Sequence, residues 1–200
     1  MINQNFVIVG AVIATAGSLS YLIDTLKGRV KPNRVSFLLW SLAPLIAFFA
    51  EIRQGVGIQA LMTFMAGFLP LMIFIASFVN KKAVWNLTRF DLTCGALSIV
   101  GLVLWYITQS GNIAILFSII ADGLAAIPTV VKSFHYPETE SAVPFIASAI
   151  SAVLTLLTIT VWNLANVAFP LYVAFITLVI FSLVQFKLGK HIRLMLGISS

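Results

Sequence analysis

The stretch Ser118–Phe145, SIIADGLAAIPTVVKSFHYPETESAVPF, decides how the chain is read. It opens as an apolar helix with one carboxylate, Asp122, and a proline, Pro128, six residues further on. A polar turn follows, and a second apolar helix starts near Ser141. A carboxylate at hydrocarbon depth is costly, so it faces a bundle interior or a cavity and marks a functional site. A proline inside such a helix frees a carbonyl of the preceding turn and creates a point of bending.

Outward from this stretch, the composition excludes an ordinary soluble domain. The 200 residues are 60% hydrophobic and 9% charged, where soluble domains carry about a quarter charged residues. Mean hydropathy is +1.07. Seven apolar runs, at 6–26, 33–52, 57–79, 92–109, 112–134, 141–162 and 166–187, are each 18 to 23 residues long. Such lengths cross about 30 Å of hydrocarbon at about 1.5 Å per residue. The expected fold is an all-α integral membrane protein with seven transmembrane helices. Ala14-Thr15-Ala16 fits a cleavage pattern, but Met1–Asn5 lacks a positive side chain and the apolar run continues to Leu26. A retained first span is expected. The lone cysteine, Cys94, offers neither an internal disulfide nor a metal cluster.

Eleven of the twelve basic residues then fall on one side of the bundle, and only Arg53 on the other. The bias predicts a multi-pass cell-membrane protein with its N-terminus outside and its C-terminus cytoplasmic. A basic rim against anionic lipid accounts for the net charge of +6, so the bilayer is the expected partner and nucleic acid is not. The Asn86-Leu87-Thr88 sequon lies on the cytoplasmic side and is expected to be inert.

The chain also resembles itself. A shift of 105 carries Ala16, Leu19, Lys27, Pro32 and Ser36 onto Ala121, Leu124, Lys132, Pro137 and Ser141. A shift of 100 carries Leu69-Pro70-Leu71 onto Phe169-Pro170-Leu171. Helices one to three thus match helices five to seven. The implied organisation is a three-helix bundle in 1–80, a linker with the fourth helix in 81–111, a second three-helix bundle in 112–188 and a cytoplasmic tail in 189–200. This is a parallel repeat about an axis along the membrane normal.

A 3+1+3 layout with an external N-terminus resembles the SWEET sugar-transporter and PQ-loop superfamily. That family's unit is a helix ending in Pro-Gln, a basic turn and a serine opening the next helix. Ile127-Pro128-Thr129-Val130-Val131-Lys132 to Ser141 resembles it with Thr129 for the glutamine; Tyr21–Lys27 to Ser36 has Ile23-Asp24 in place of Pro-Gln. The resemblance implies alternating access between two halves, with prolines as hinges. Pro128 and Pro144 match that placement, and the first copy offers Pro44. It also implies an aromatic on helices two and six, for which Trp40 and Phe145 pair at the 105 shift, and asparagines for binding, for which Asn163 and Asn166 stand near the seventh helix.

Read from the residues themselves, Asp122 is a proton-titrating or substrate-binding carboxylate, or else a hydrogen-bond partner of a neighbouring helix. Asp24 is a second candidate, with an ion pair to Lys27 as its structural alternative. Ser141, Ser148, Ser151, Thr155 and Thr158 make one helical stripe, lining a polar passage or bonding back to their own helix. Gly10, Ala14, Gly17 and Ser18, like Ser118, Ala121 and Ala125, read as close-packing seams.

Enzyme readings find little. Asp122-Gly123-Leu124-Ala125-Ala126 resembles the opening of a phosphatidyl-alcohol transferase motif but lacks its arginine and later aspartates, and His135 and His191 form no metal-ligand pair. No catalysis, metal or cofactor is expected. The leading expectation is a SWEET-like transporter of a small polar solute, sugars first and amino acids or other metabolites next; a homo-oligomer is compatible with it. The alternative is a non-transporting seven-helix receptor, scaffold or assembly factor.

Overall fold

A computed structural model of the chain describes residues 2–3, 5–53, 60–108 and 111–195. Among the described residues there is no strand. Eight α-helices follow in order: α1 (Phe6–Leu26), α2 (Arg34–Arg53), α3 (Ala60–Val79), α4 (Arg89–Thr108), α5 (Gly111–His135), α6 (Val143–Thr158), α7 (Leu164–Gln185) and α8 (Leu188–Met195). Short 3-10 turns occupy Lys81–Ala83 and Pro137–Thr139. The chain is a helical membrane protein: α1, α4, Ile115–His135 of α5 and Asn166–Gln185 of α7 are each long and apolar enough to cross a bilayer, and α2, α3 and α6 contribute shorter apolar stretches. The first residues of the expected third span and the last of the fourth, with positions 196–200 of the expected tail, lie outside the described residues.

Helix ends depart from the apolar runs where polar side chains cap them. The fourth helix starts at Arg89, not at 92, because Thr88 and Asp91 exchange bonds as a capping box. The Thr88 amide and hydroxyl donate to Asp91 Oδ2 at 2.7 and 2.9 Å, and the Asp91 amide donates to Thr88 Oγ1 at 3.2 Å. The sixth helix stops at Thr158, four residues short of expectation, since Ile159 is extended and Asn163 already caps α7. At 16 residues it rises about 24 Å, less than the hydrocarbon core. The expected tail is partly helical: Lys187, at φ 50°, turns the chain from α7 into α8. Gly28, at φ +69°, turns the chain out of α1, and a Cβ there would lie 2.8 Å from Lys82 Cβ.

Packing brings the helices together through small residues. Helix α1 lies along α6 and also touches α3; α2 packs on α3, α5 and α4; α7 packs on both α5 and α6; α4 lies along α5. A Cβ on Gly17 would sit 2.5 Å from Ala147 Cβ, and one on Gly10 would meet Ser151 Oγ at 3.0 Å. One on Gly101 would meet Ala121 Cβ at 2.9 Å, where Ser98 Oγ also donates to the Ala121 carbonyl at 2.6 Å. Both small-residue seams therefore let backbones approach closely, the way helices associate without a hydrophobic drive from lipid.

The ends of α1, α3, α5 and α7 meet the starts of α2, α4 and α6 at one basic end. Asn80 donates to the Leu26 carbonyl at 2.8 Å, Asn33 to Asp91 at 3.0 Å, and the Lys31 amide to the Thr139 carbonyl at 2.8 Å. Arg34 clasps the end of α3 through Ser77 Oγ and its carbonyl, at 3.0 and 2.7 Å.

Candidate functional site

A cavity of about 800 Å³ lies between α1, α2, α3, α5, α6 and α7. Its wall is mostly apolar, with Leu69, Ile73, Phe169 and Ile176 typical of it. Trp40, Phe37 and Phe145 supply aromatic faces, and Asp122, Ser148, Ser151, Thr15, Ser18 and Thr177 supply polar groups. Pro44 and Pro144 also lie on the wall, whereas Pro128 is buried within α5 away from it.

The cavity thus gathers Asp122, Trp40, Phe145 and Ser148 from three helices. Trp40 and Phe145, related by the 105 shift, meet one floor: Trp40 packs against the cluster of Phe145, Ile180 and Val184. Beside it Tyr21, Val30, Phe37 and Ile73 form a second cluster, which Trp40 also touches.

Asp122 sits near the middle of α5 and is partly buried; Tyr172 of α7 donates its hydroxyl to Oδ2 at 2.7 Å. The partner is a tyrosine, not the serine or threonine a helix bundle commonly offers. A mid-span tyrosine needs a partner for its hydroxyl, and that signal was present in the sequence at Tyr172. Oδ1 accepts no hydrogen bond from the described residues, and Gly123, facing the Tyr172 hydroxyl at 3.7 Å from an ideal Cβ, leaves the pair uncrowded.

Three other groups of candidate residues stand apart from the cavity or divide. Asn163 and Asn166 are exposed and off the cavity wall: Asn163 Oδ1 accepts from the Asn166 amide at 3.0 Å, and Asn166 Nδ2 donates to the Val161 carbonyl at 2.9 Å. They cap α7. Asp24 pairs with Arg29 at 3.2 Å and not with Lys27, because the turn at Gly28 sends the Arg29 amide back to the Asp24 carbonyl at 2.9 Å. It lies at the basic end, outside the cavity. The hydroxyl stripe of α6 divides: Ser148 and Ser151 line the cavity, whereas Thr155 and Thr158 bond back to Ser151 and Thr155 carbonyls at 2.9 and 2.7 Å.

Beyond the floor, the basic end holds a buried polar cluster that sequence reasoning missed. Lys132 Nζ meets Glu140 Oε1 at 2.6 Å with both side chains wholly inaccessible. Tyr21 of α1 donates to Glu140 Oε2 at 2.6 Å, Lys132 also donates to the Lys31 carbonyl, and the Trp85 ring lies 5.0 Å from the ammonium. Thr129, standing where the resemblance places glutamine, donates to Ser36 Oγ at 2.9 Å. The cluster ties α1 and the loop before α2 to α5 and the turn before α6. Lys132 reads in sequence as one more rim cation, and the scarcity of acids, six in the chain, is a signal that Glu140 shares with five others.

His135 and His191 stay apart from any metal-binding group, and no cluster of three potential ligands occurs among the described residues. Compared with known proteins, the chain matches no family model, no curated protein and no solved structure.

Proposed function

We propose that the protein is a SWEET-like membrane transporter that moves a small organic solute by alternating access, rocking α1–α3 against α5–α7 with α4 as linker. The observation that carries the reading is the central cavity of about 800 Å³, which α1, α2 and α3 line together with α5, α6 and α7. The helix contacts support the repeat. A shift that turns α1 into α5 and α2 into α6 exchanges the α1–α6 contact with the α2–α5 contact, and the α3 contacts with those of α7. Such a pairing is what two similar halves rocking about a common axis require.

In this reading the Lys132–Glu140–Tyr21 cluster is the closed gate on the cytoplasmic side, and Pro44 and Pro144 on the wall are bending points. Sugars lead by resemblance alone; the wall offers few polar groups for a polyhydroxylated ligand.

Paired spin labels test the reading without knowledge of the solute. With Cys94 replaced by alanine, Lys27→Cys and Tyr136→Cys place one label on each side of the basic end. Two interconverting distances are expected, with the longer favoured by Tyr21→Phe. One invariant distance in both backgrounds, together with no saturable uptake of sugars, amino acids or organic cations in proteoliposomes, would refute transport.

A further inference from the structure

The chemistry of the cavity wall names a ligand class that the resemblance does not. We infer that the cavity takes an organic monocation with an apolar, aromatic body, its charge held at Asp122 and its body against Trp40, Phe37 and Phe145. This inference deepens the transport reading and rests on it only for the ligand's movement, not for its binding.

Four observations carry it. The wall contains one carboxylate and no basic residue among the described lining residues. The one charge that an entering ligand meets among those residues is therefore negative, set in a wall of hydrocarbon, rings and a few hydroxyls. The carboxylate is braced from one side only, by Tyr172 on Oδ2, which leaves Oδ1 free to receive a ligand. A charge at that depth is stabilised by an opposite charge, and the described lining residues supply none: Lys132 is committed to Glu140. The rings of Trp40, Phe37 and Phe145 lie on the wall, where aromatic surface suits both a cation and an apolar body.

Polar capacity argues the same way. Thr177 bonds back to the Val173 carbonyl at 2.7 Å, and Ser151 is pressed against Gly10 of α1. Few hydroxyls then remain for a sugar, whose own hydroxyls would lose water without replacement. The volume suits a drug-sized molecule, and a mostly apolar wall with a few convergent polar groups is the usual make-up of such a site.

The test uses tetraphenylphosphonium and its near-isosteric anion tetraphenylborate on the full chain in detergent. Radiolabelled tetraphenylphosphonium should bind saturably, and tetraphenylborate and glucose should fail to displace it. Asp122→Asn should weaken binding by at least about tenfold, since removing one partner of a desolvated charge pair costs more than one decade in affinity. Asp122→Glu should recover part of the loss, and Asp24→Asn, outside the cavity, should leave binding unchanged. Equal binding of both ions, or unaltered affinity in a folded Asp122→Asn protein, would overturn the inference. If Asp122→Asn does not fold, the cation–anion comparison on the unaltered protein decides alone. Cation binding without alternating distances keeps the ligand class and removes transport; alternating distances without cation binding removes the ligand class and keeps transport.

Discussion

Replacing Glu140 by glutamine is the most informative single perturbation of this chain. Its carboxylate and the Lys132 ammonium touch at 2.6 Å with no accessible surface on either side chain. Removing one charge of such a pair leaves the other buried and uncompensated, at a cost of about 3–5 kcal/mol. For a chain of this length that corresponds to a fall of roughly 6–20 °C in thermal midpoint. Tyr21→Phe deletes only the 2.6 Å bond to Oε2, a loss of about 1.5–3 kcal/mol for a bond to a charged acceptor. Adding Lys132→Met to Glu140→Gln removes the orphaned charge while the amide oxygen still accepts from Tyr21. The double variant should therefore be more stable than Glu140→Gln alone, although the Lys31 carbonyl loses its donor. Thermal unfolding of purified protein in one detergent, followed by intrinsic fluorescence, measures the series. If Glu140→Gln unfolds no earlier than Asp24→Asn, whose pair is exposed, or if the double variant is worse than the single, the cluster does not hold the basic end together.

Asn163→Ala should cost about 1 kcal/mol of stability through the lost cap on α7 and leave tetraphenylphosphonium affinity unchanged, measured by thermal unfolding and binding side by side. Gly17→Val should sharply lower the yield of folded protein in size-exclusion chromatography, because its Cβ would press on Ala147 at 2.5 Å against the backbone of Pro144. At Glu138, burial pushes the carboxyl upward, but its backbone hydrogen bond and then Lys190 and Lys187 outweigh this and hold it below its usual range. With its folded value depressed, its contribution to α8 docking is present above the ordinary carboxylate range and lost as pH falls through the depressed value. Hydrogen exchange of α8 amides, corrected for intrinsic rates, should accelerate below about pH 4 relative to α7; the effect is small because the Lys190–Glu138 pair is half-exposed.

Apolar run length was legible and its ends were not. The helices lie where the runs lie, because a helix in lipid satisfies its backbone internally whatever its residue order. Boundaries moved where Thr88 with Asp91 and Asn163 with Asn166 capped helices, local bonds that hydropathy does not register. Of the residues on the cavity wall, Asp122 and Ser148 stand out in the sequence as polar groups among apolar neighbours, whereas Trp40 and Phe145 were reached through the 105 shift and the family resemblance. The buried cluster could not. Lys132 and Glu140 lie eight residues apart across a turn, and Tyr21 more than a hundred residues away, so no local spacing joins them. Asn163 and Asn166 misled because an asparagine near a helix start serves as a cap at least as readily as a ligand.

Among the described residues such a buried ion pair occurs once, and the packing of α4 offers a physical reason. Under the 105 shift Lys132 corresponds to Lys27, Glu140 to Val35 and Thr129 to Asp24. Were the two halves of the proposed repeat alike, the first would carry a carboxylate at position 35. There, however, α4 packs on α2: a Cβ on Gly95 would come within 2.6 Å of Val35 Cγ1. A carboxylate facing that contact would be buried without a cation, which costs more than any bond it gained. Valine fits the seam, Lys27 then has no carboxylate to enter for and stays at the rim, and Asp24 turns outward to Arg29. Glu140, by contrast, is buried against a cation, with Lys132 at 2.6 Å. If the proposed repeat holds, the contact of α4 with α2 at Gly95 and Val35 is a packing reason for the asymmetry at the basic end. Lys132 stands on α5, the helix that also carries Asp122, so the buried ion pair and the cavity carboxylate share one helix.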